Sequence, residues 1–125
     1  MRRTRDAAAF RLATASLFIL ITYFAVTPTP PFVEHLWDKA NHFAAFYALA
    51  LTTDFGFPNR EFDWRKALTL LAYGLLIEVV QYFLPYRTAD VLDLATDALA
   101  LAAYWLSLPL LRHLPLLRSR WSAGT

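Results

Sequence analysis

Residues 67–111 read ALTLLAYGLLIEVVQYFLPYRTADVLDLATDALALAAYWLSLPLL. Two apolar runs, 67–84 and 91–111, are separated by one short segment holding Pro85, Arg87 and Asp90. Each run is close to the ~20 residues that cross a ~30 Å hydrocarbon core. Pro85 stops the first run, and so short a linker makes the two helices antiparallel neighbours. Glu78, Gln81, Asp93 and Asp97 lie inside these runs. Ionisable side chains in lipid are costly, so in a membrane protein each one is a functional-site hypothesis by default.

Two more runs precede this pair. Residues 7–26 are interrupted only by Arg11, and residues 40–57 carry Asn41, His42 and Asp54. Pro28, Pro30 and Pro31 end the first run and Pro58 ends the second. The expected fold is all-α: an integral membrane bundle of four transmembrane helices within a single domain, 1–125. The start of the chain resembles a secretory signal, but Tyr23-Phe24-Ala25-Val26-Thr27-Pro28 is a poor cleavage site, so an uncleaved first helix is expected.

Composition agrees. Of 125 residues, 58% are hydrophobic and 18% charged, which is more apolar than a small soluble domain tolerates. The net charge of +2 does not point to nucleic acid, because the basic residues flank apolar runs and are not interleaved with stacking aromatics. The absence of cysteine excludes disulfides, thiolate nucleophiles and Cys-ligated metals. Three glycines exclude a phosphate-binding glycine loop, and no Ser-His-Asp or zinc-motif spacing occurs.

The basic residues also set direction. Arg2, Arg3, Arg5 and Arg11, then Arg60, Arg65 and Lys66, then Arg112, Arg118 and Arg120 are ten of the twelve Lys and Arg residues. With four spans these three groups share one side, so both termini are expected in the cytoplasm of a cell (inner or plasma) membrane, multi-pass. Only Lys39 and Arg87 fall on the other side.

That topology gathers the polar residues. At 1.5 Å per residue, His42 lies about 6 Å deep, Glu78 and Gln81 about 10 and 6 Å, and Asp93 and Asp97 about 5 and 10 Å, all in the outer half of the bilayer. Asp38 and His42 are spaced i,i+4; Glu78 and Gln81 i,i+3; Asp90, Asp93 and Asp97 i, i+3, i+7. Each set therefore shares one helix face. Thr88 or Asp90 is a candidate cap for the fourth span. Asp54, at the cytoplasmic end of the second, is expected to cap or snorkel. His35 and His113 are expected at the interface or in the tail.

On these residues the chain resembles the VanZ-like family, small membrane proteins named after a teicoplanin-resistance factor. The matching motifs are Asp38, Lys39, His42, Phe43 and Phe46; then Glu78 and Gln81; then Pro85, Arg87, Asp90 and Asp93. The resemblance runs over about residues 38–101. It departs where family members carry Asn and Gly; here those positions are Asp97, an added acid, and Ala100. The resemblance implies a ligand that is a cell-envelope amphiphile or a glycopeptide acting there.

The expected site follows. His42 and Glu78 are the candidate acid/base pair, with Asp90 and Asp93 binding or stabilising charge beside them. Asp38, Lys39, Gln81, Arg87 and Asp97 are candidate ligand-binding residues, Lys39 and Arg87 for an anionic headgroup. The competing reading is that the acids pair with Lys39, Arg87 and His42 to hold helices together. His42 with Glu78 and Asp93 is also a conceivable ligand set, but its spacing matches no metal motif, so no metal and no cofactor is assigned. Whether the chain is an enzyme stays open. A proton- or ion-coupled transporter and a non-catalytic assembly subunit are the alternatives. The expected partners are the lipid bilayer and an amphiphilic or lipid-linked ligand, not nucleic acid. A homo-oligomer is possible, though no small-xxx-small face marks one.

Overall fold

The computed structural model describes residues 2–28, 31–58, 60–86 and 89–114, and the side chains of these from residue 5 to 28 and from 39 onward. Arg87, Thr88, Arg118 and Arg120 lie outside the described residues, as do the side chains of Arg2, Arg3, His35 and Asp38.

Four helices make the fold: α1 Arg2–Val26, α2 Pro31–Gly56, α3 Trp64–Phe83 and α4 Val91–Leu111. No strand occurs among the described residues. The second helix begins nine residues before the expected span at 40, and the reason is proline chemistry. Pro31 does not help to end the first helix; it opens α2, where a missing N–H costs nothing and a fixed φ favours the first turn. Lys39 and His42 thus sit more than two turns inside a formed helix. The other two starts have side-chain caps. Asp63 Oδ1 accepts from the backbone N–H of Arg65 at 3.0 Å and of Lys66 at 3.4 Å. Asp90 Oδ1 accepts from Leu92 N–H at 2.9 Å, so Asp90 caps α4.

α2 is the central helix and packs on all three others. Its Phe46, Leu49 and Ala50 are buried against Leu70 of α3 and Ala100, Leu101 and Tyr104 of α4. The outward faces are the reverse of a soluble protein's. Leu12, Ile19, Leu76, Tyr82, Phe83, Val91, Leu99 and Leu110 are all exposed, while Asp54, Glu78, Gln81, Asp93 and Asp97 are buried. So much exposed apolar surface belongs against lipid rather than water. Three of the helices, α1, α3 and α4, are long and apolar enough to cross a membrane.

One expectation is corrected here. Asp54 neither caps nor snorkels: it is 1% exposed and accepts from Lys66 Nζ at 2.8 Å and Tyr104 Oη at 2.6 Å. The cause is the turn between α2 and α3, which folds Lys66 back under the end of α2. There the ammonium also donates to the carbonyls of Phe57 at 3.0 Å and Arg60 at 2.6 Å. Arg11 of α1 reaches the same helix end, donating to Gly56 O at 2.6 Å with its guanidinium over the Phe57 ring. Two cations at a helix C-terminus suit its dipole.

The C-terminal end of α1 is held differently. Its last carbonyls lack helical partners. Gln81 Nε2 donates to Ala25 O at 3.1 Å, and Tyr86 Oη donates to Val26 O. Lower down, Tyr73 Oη donates to Phe18 O at 3.1 Å and shares a hydrogen bond with Thr22 Oγ1. α1 is thereby docked on α3 by hydrogen bonds that its own sequence gives no sign of.

Candidate functional site

The face of α4 that carries Asp90, Asp93 and Asp97 turns toward α2. Lys39 reaches across and donates to Asp93 Oδ1 at 3.0 Å and to Asp90 Oδ2 at 3.1 Å. One turn further along α2, His42 Nδ1 lies 3.0 Å from Asp97 Oδ1, and its Nε2 lies 3.8 Å from Asp93 Oδ2. The i,i+3 spacing on α2 therefore meets the i, i+3, i+7 spacing on α4 rung by rung. α3 closes the third side. Glu78 Oε2 accepts the backbone N–H of Asp90 at 2.8 Å, tying α3 to the residue that caps α4.

Of the nine expected residues, six come together: Lys39, His42, Glu78, Asp90, Asp93 and Asp97. Gln81 lies one turn above Glu78 but sends its amide nitrogen to α1. Asp38 by its side chain and Arg87 altogether are outside the described residues. The aromatics divide. Phe46 and Tyr104 are core, whereas Phe43, Tyr82, Tyr86 and Trp105 face outward.

Burial makes this layer unusual. Glu78 is 7% exposed, Asp93 2% and Asp97 1%. Buried polar atoms are nearly always paired, yet among the described residues Glu78 Oε1 and Gln81 Oε1 have no hydrogen-bond partner. Among the described residues, four carboxylates share only Lys39 and His42 as basic neighbours. At the rim, outside the apolar runs, the hydrogen bond to Asp93, then that to Asp90, raises the Lys39 pKa above its ordinary value. The Leu92 N–H, then Lys39, lowers that of Asp90. Both groups are therefore charged through the neutral range.

Two features of the layer were not read from the sequence. The first is Gly74, one turn before Glu78 on α3. A Cβ there would lie 2.7 Å from Asp97 Oδ2 and 3.2 Å from Phe46 Cζ, so only glycine admits the Asp97 carboxylate at this point. A glycine inside an apolar span and four residues from an acid was the available signal. The second is the distance within a trio that the sequence offers as a conceivable ligand set: one ligand atom each from His42, Glu78 and Asp93 lies within 4.8 Å of the others. A groove of about 440 Å³ opens elsewhere, at the opposite end of α3 and α4, between Phe62, Trp64, Leu71, Leu101 and Trp105. It is apolar and takes no part in the polar layer.

No curated protein and no solved structure was found to match the chain. The model of the family described as VanZ/LLP1 matches residues 4–112, spanning all four helices and every described residue of the polar layer. With apolar helices fit to cross a bilayer and a family match over most of its length, the chain is a membrane protein that belongs to the VanZ-like family.

Proposed function

We propose that the chain is a four-span inner-membrane protein with both termini in the cytoplasm, whose polar layer opens toward the outer leaflet. There it binds or modifies a cell-envelope amphiphile, and glycopeptide resistance of the teicoplanin type is the cellular consequence. One observation carries the reading. Three carboxylates buried on two helices, one of them with an unpaired oxygen, exceed what joining the helices requires. A buried acid without its full set of partners is destabilising unless something else meets it.

Within the layer, His42 and Glu78 serve as the acid/base pair, with Asp93 beside them and Asp97 orienting the imidazole. Lys39 is already engaged by Asp90 and Asp93, so it acts first as their counter-charge. Its side chain is 47% exposed, which leaves it within reach of a headgroup oxygen at the rim.

The transporter alternative is weaker. Asp54 and Lys66 do supply an ionisable pair at the other end of the bundle. Twelve positions along α2, about 18 Å, separate Asp54 from His42, however, and that interval is closed by Phe46, Leu49 and Ala50. No polar relay bridges it among the described residues.

Expression in a teicoplanin-susceptible host tests the reading. The wild-type chain is expected to raise the inhibitory concentration, and Glu78→Gln and His42→Ala, inserted at equal level, to return it to that of the empty vector. Full resistance in both variants would reduce the layer to a structural joint.

A further inference from the structure

We propose that His42, Glu78 and Asp93 ligate a divalent transition-metal cation, for which Zn²⁺ has the best-matched chemistry, with Asp97 orienting the histidine. The inference deepens the amphiphile reading and rests on it: a cation here would be the group that engages an anionic headgroup oxygen, with His42 and Glu78 acting as its ligands in place of an acid/base pair.

The geometry is nearly closed already. Tetrahedral zinc with nitrogen and oxygen ligands sets neighbouring donors about 3.4 Å apart. His42 Nε2 and Asp93 Oδ2 stand at 3.8 Å, and a donor atom of each of the three residues lies within 4.8 Å of the others. A common centre requires the donors to draw together from at most 4.8 Å to about 3.4 Å.

The outer contacts point the same way. Each of the three residues has one polar atom held by a neighbour: His42 Nδ1 by Asp97, Glu78 Oε2 by the Asp90 N–H, and Asp93 Oδ1 by Lys39. Carboxylates and backbone groups that fix the far atom of a ligand are the usual surroundings of a metal site, because they set the imidazole tautomer and the ligand orientation. Glu78 Oε1, buried with no partner, is the donor that such an ion would satisfy.

Charge and donor type select the ion. Among the described residues, four carboxylates around one lysine and one histidine leave an excess of negative charge that a divalent cation offsets. Mg²⁺ and Ca²⁺ prefer oxygen-only shells with more ligands. One imidazole with two carboxylates suits Zn²⁺ and leaves the fourth position open for water or a headgroup oxygen.

The test uses the full chain purified in mild detergent, stripped with a chelator, reloaded with ZnCl₂ and desalted, with metal measured by elemental mass spectrometry. The expected result is about one Zn²⁺ per chain, undisturbed by excess Mg²⁺, with Co²⁺ in its place giving visible absorption of tetrahedral intensity. Asp97→Asn, which spares all three ligands, should weaken binding about 10- to 100-fold, and Glu78→Gln by more. Negligible zinc in the wild type, or equal zinc in wild type and Glu78→Gln, overturns the proposal. Should Glu78→Gln fail to insert, the wild-type titration and Asp97→Asn decide alone. Resistance without bound metal sinks the metal site and spares the amphiphile reading; bound metal without resistance does the opposite.

Discussion

Lys66→Met is expected to destabilise the bundle by about 3–5 kcal/mol, the usual penalty for removing one partner of a buried ion pair. Asp54 is 1% exposed and the Lys66 side chain 10%, so solvent does little to screen the pair. Methionine keeps the length of the stem but removes the ammonium that holds Asp54 Oδ1, Phe57 O and Arg60 O. Asp54 then keeps a charge in the core without that counter-ion. Replacing both partners should behave differently, because a pair of apolar side chains has no charge to desolvate. The double variant Asp54→Leu/Lys66→Met is therefore expected to recover at least half of the loss, short of full recovery because Tyr104 Oη forfeits its acceptor. Reversible unfolding in detergent and denaturant reads both. A Lys66→Met loss below about 1 kcal/mol, typical of an exposed pair, would show that water reaches Asp54.

Gly74→Ala is expected to cost a net 1–2 kcal/mol, roughly, and to disturb the polar layer at the same time. The added Cβ would stand 2.7 Å from Asp97 Oδ2 and 3.2 Å from Phe46 Cζ. Neither neighbour is the free end of a flexible chain. Asp97 is fixed by His42, and Phe46 is 1% exposed. Overpacking of this kind costs about 1–3 kcal/mol, and the better helix propensity of alanine returns at most about 1 kcal/mol. In an Asp97→Ala background the clash is largely gone, and Gly74→Ala should become nearly neutral. A double-mutant cycle read by unfolding isolates this coupling. Additivity of the two changes would mean that α3 and α4 are further apart here than the distances above.

The polar layer was legible in the sequence because membranes make polarity expensive. A polar side chain in an apolar run has few places to go, and the spacings 3, 4 and 7 fix its face on a helix. Asp90, Asp93, Asp97, Lys39, His42 and Glu78 came out together for that reason. Spacing names a face but not the neighbour that the face meets. Gln81 shares a face with Glu78, yet the longer side chain one turn on meets the end of α1 instead. Nothing in residues 7–26 marks where α1 docks, since its contacts to Gln81, Tyr86 and Tyr73 are largely through backbone carbonyls, which every sequence has. Asp54 was misread because its partner comes from beyond a turn: Lys66 counted as a cytoplasmic charge, and only the folded α2–α3 connection shows it under the core. The start of α2 was missed because proline both stops and starts helices.

That the polar layer lies at the outer face of a four-span bundle is tested most directly by single-cysteine labelling, for which the chain is well suited because it has no cysteine of its own. Ala89, beside the layer, is exposed, as are Arg5, Glu61 and His113. The expected result is that a membrane-impermeant maleimide labels Ala89→Cys in intact cells, and reaches Arg5→Cys, Glu61→Cys and His113→Cys only after permeabilisation. Labelling of the latter three in intact cells, with Ala89→Cys protected, would put the layer on the cytoplasmic side and contradict the proposed site.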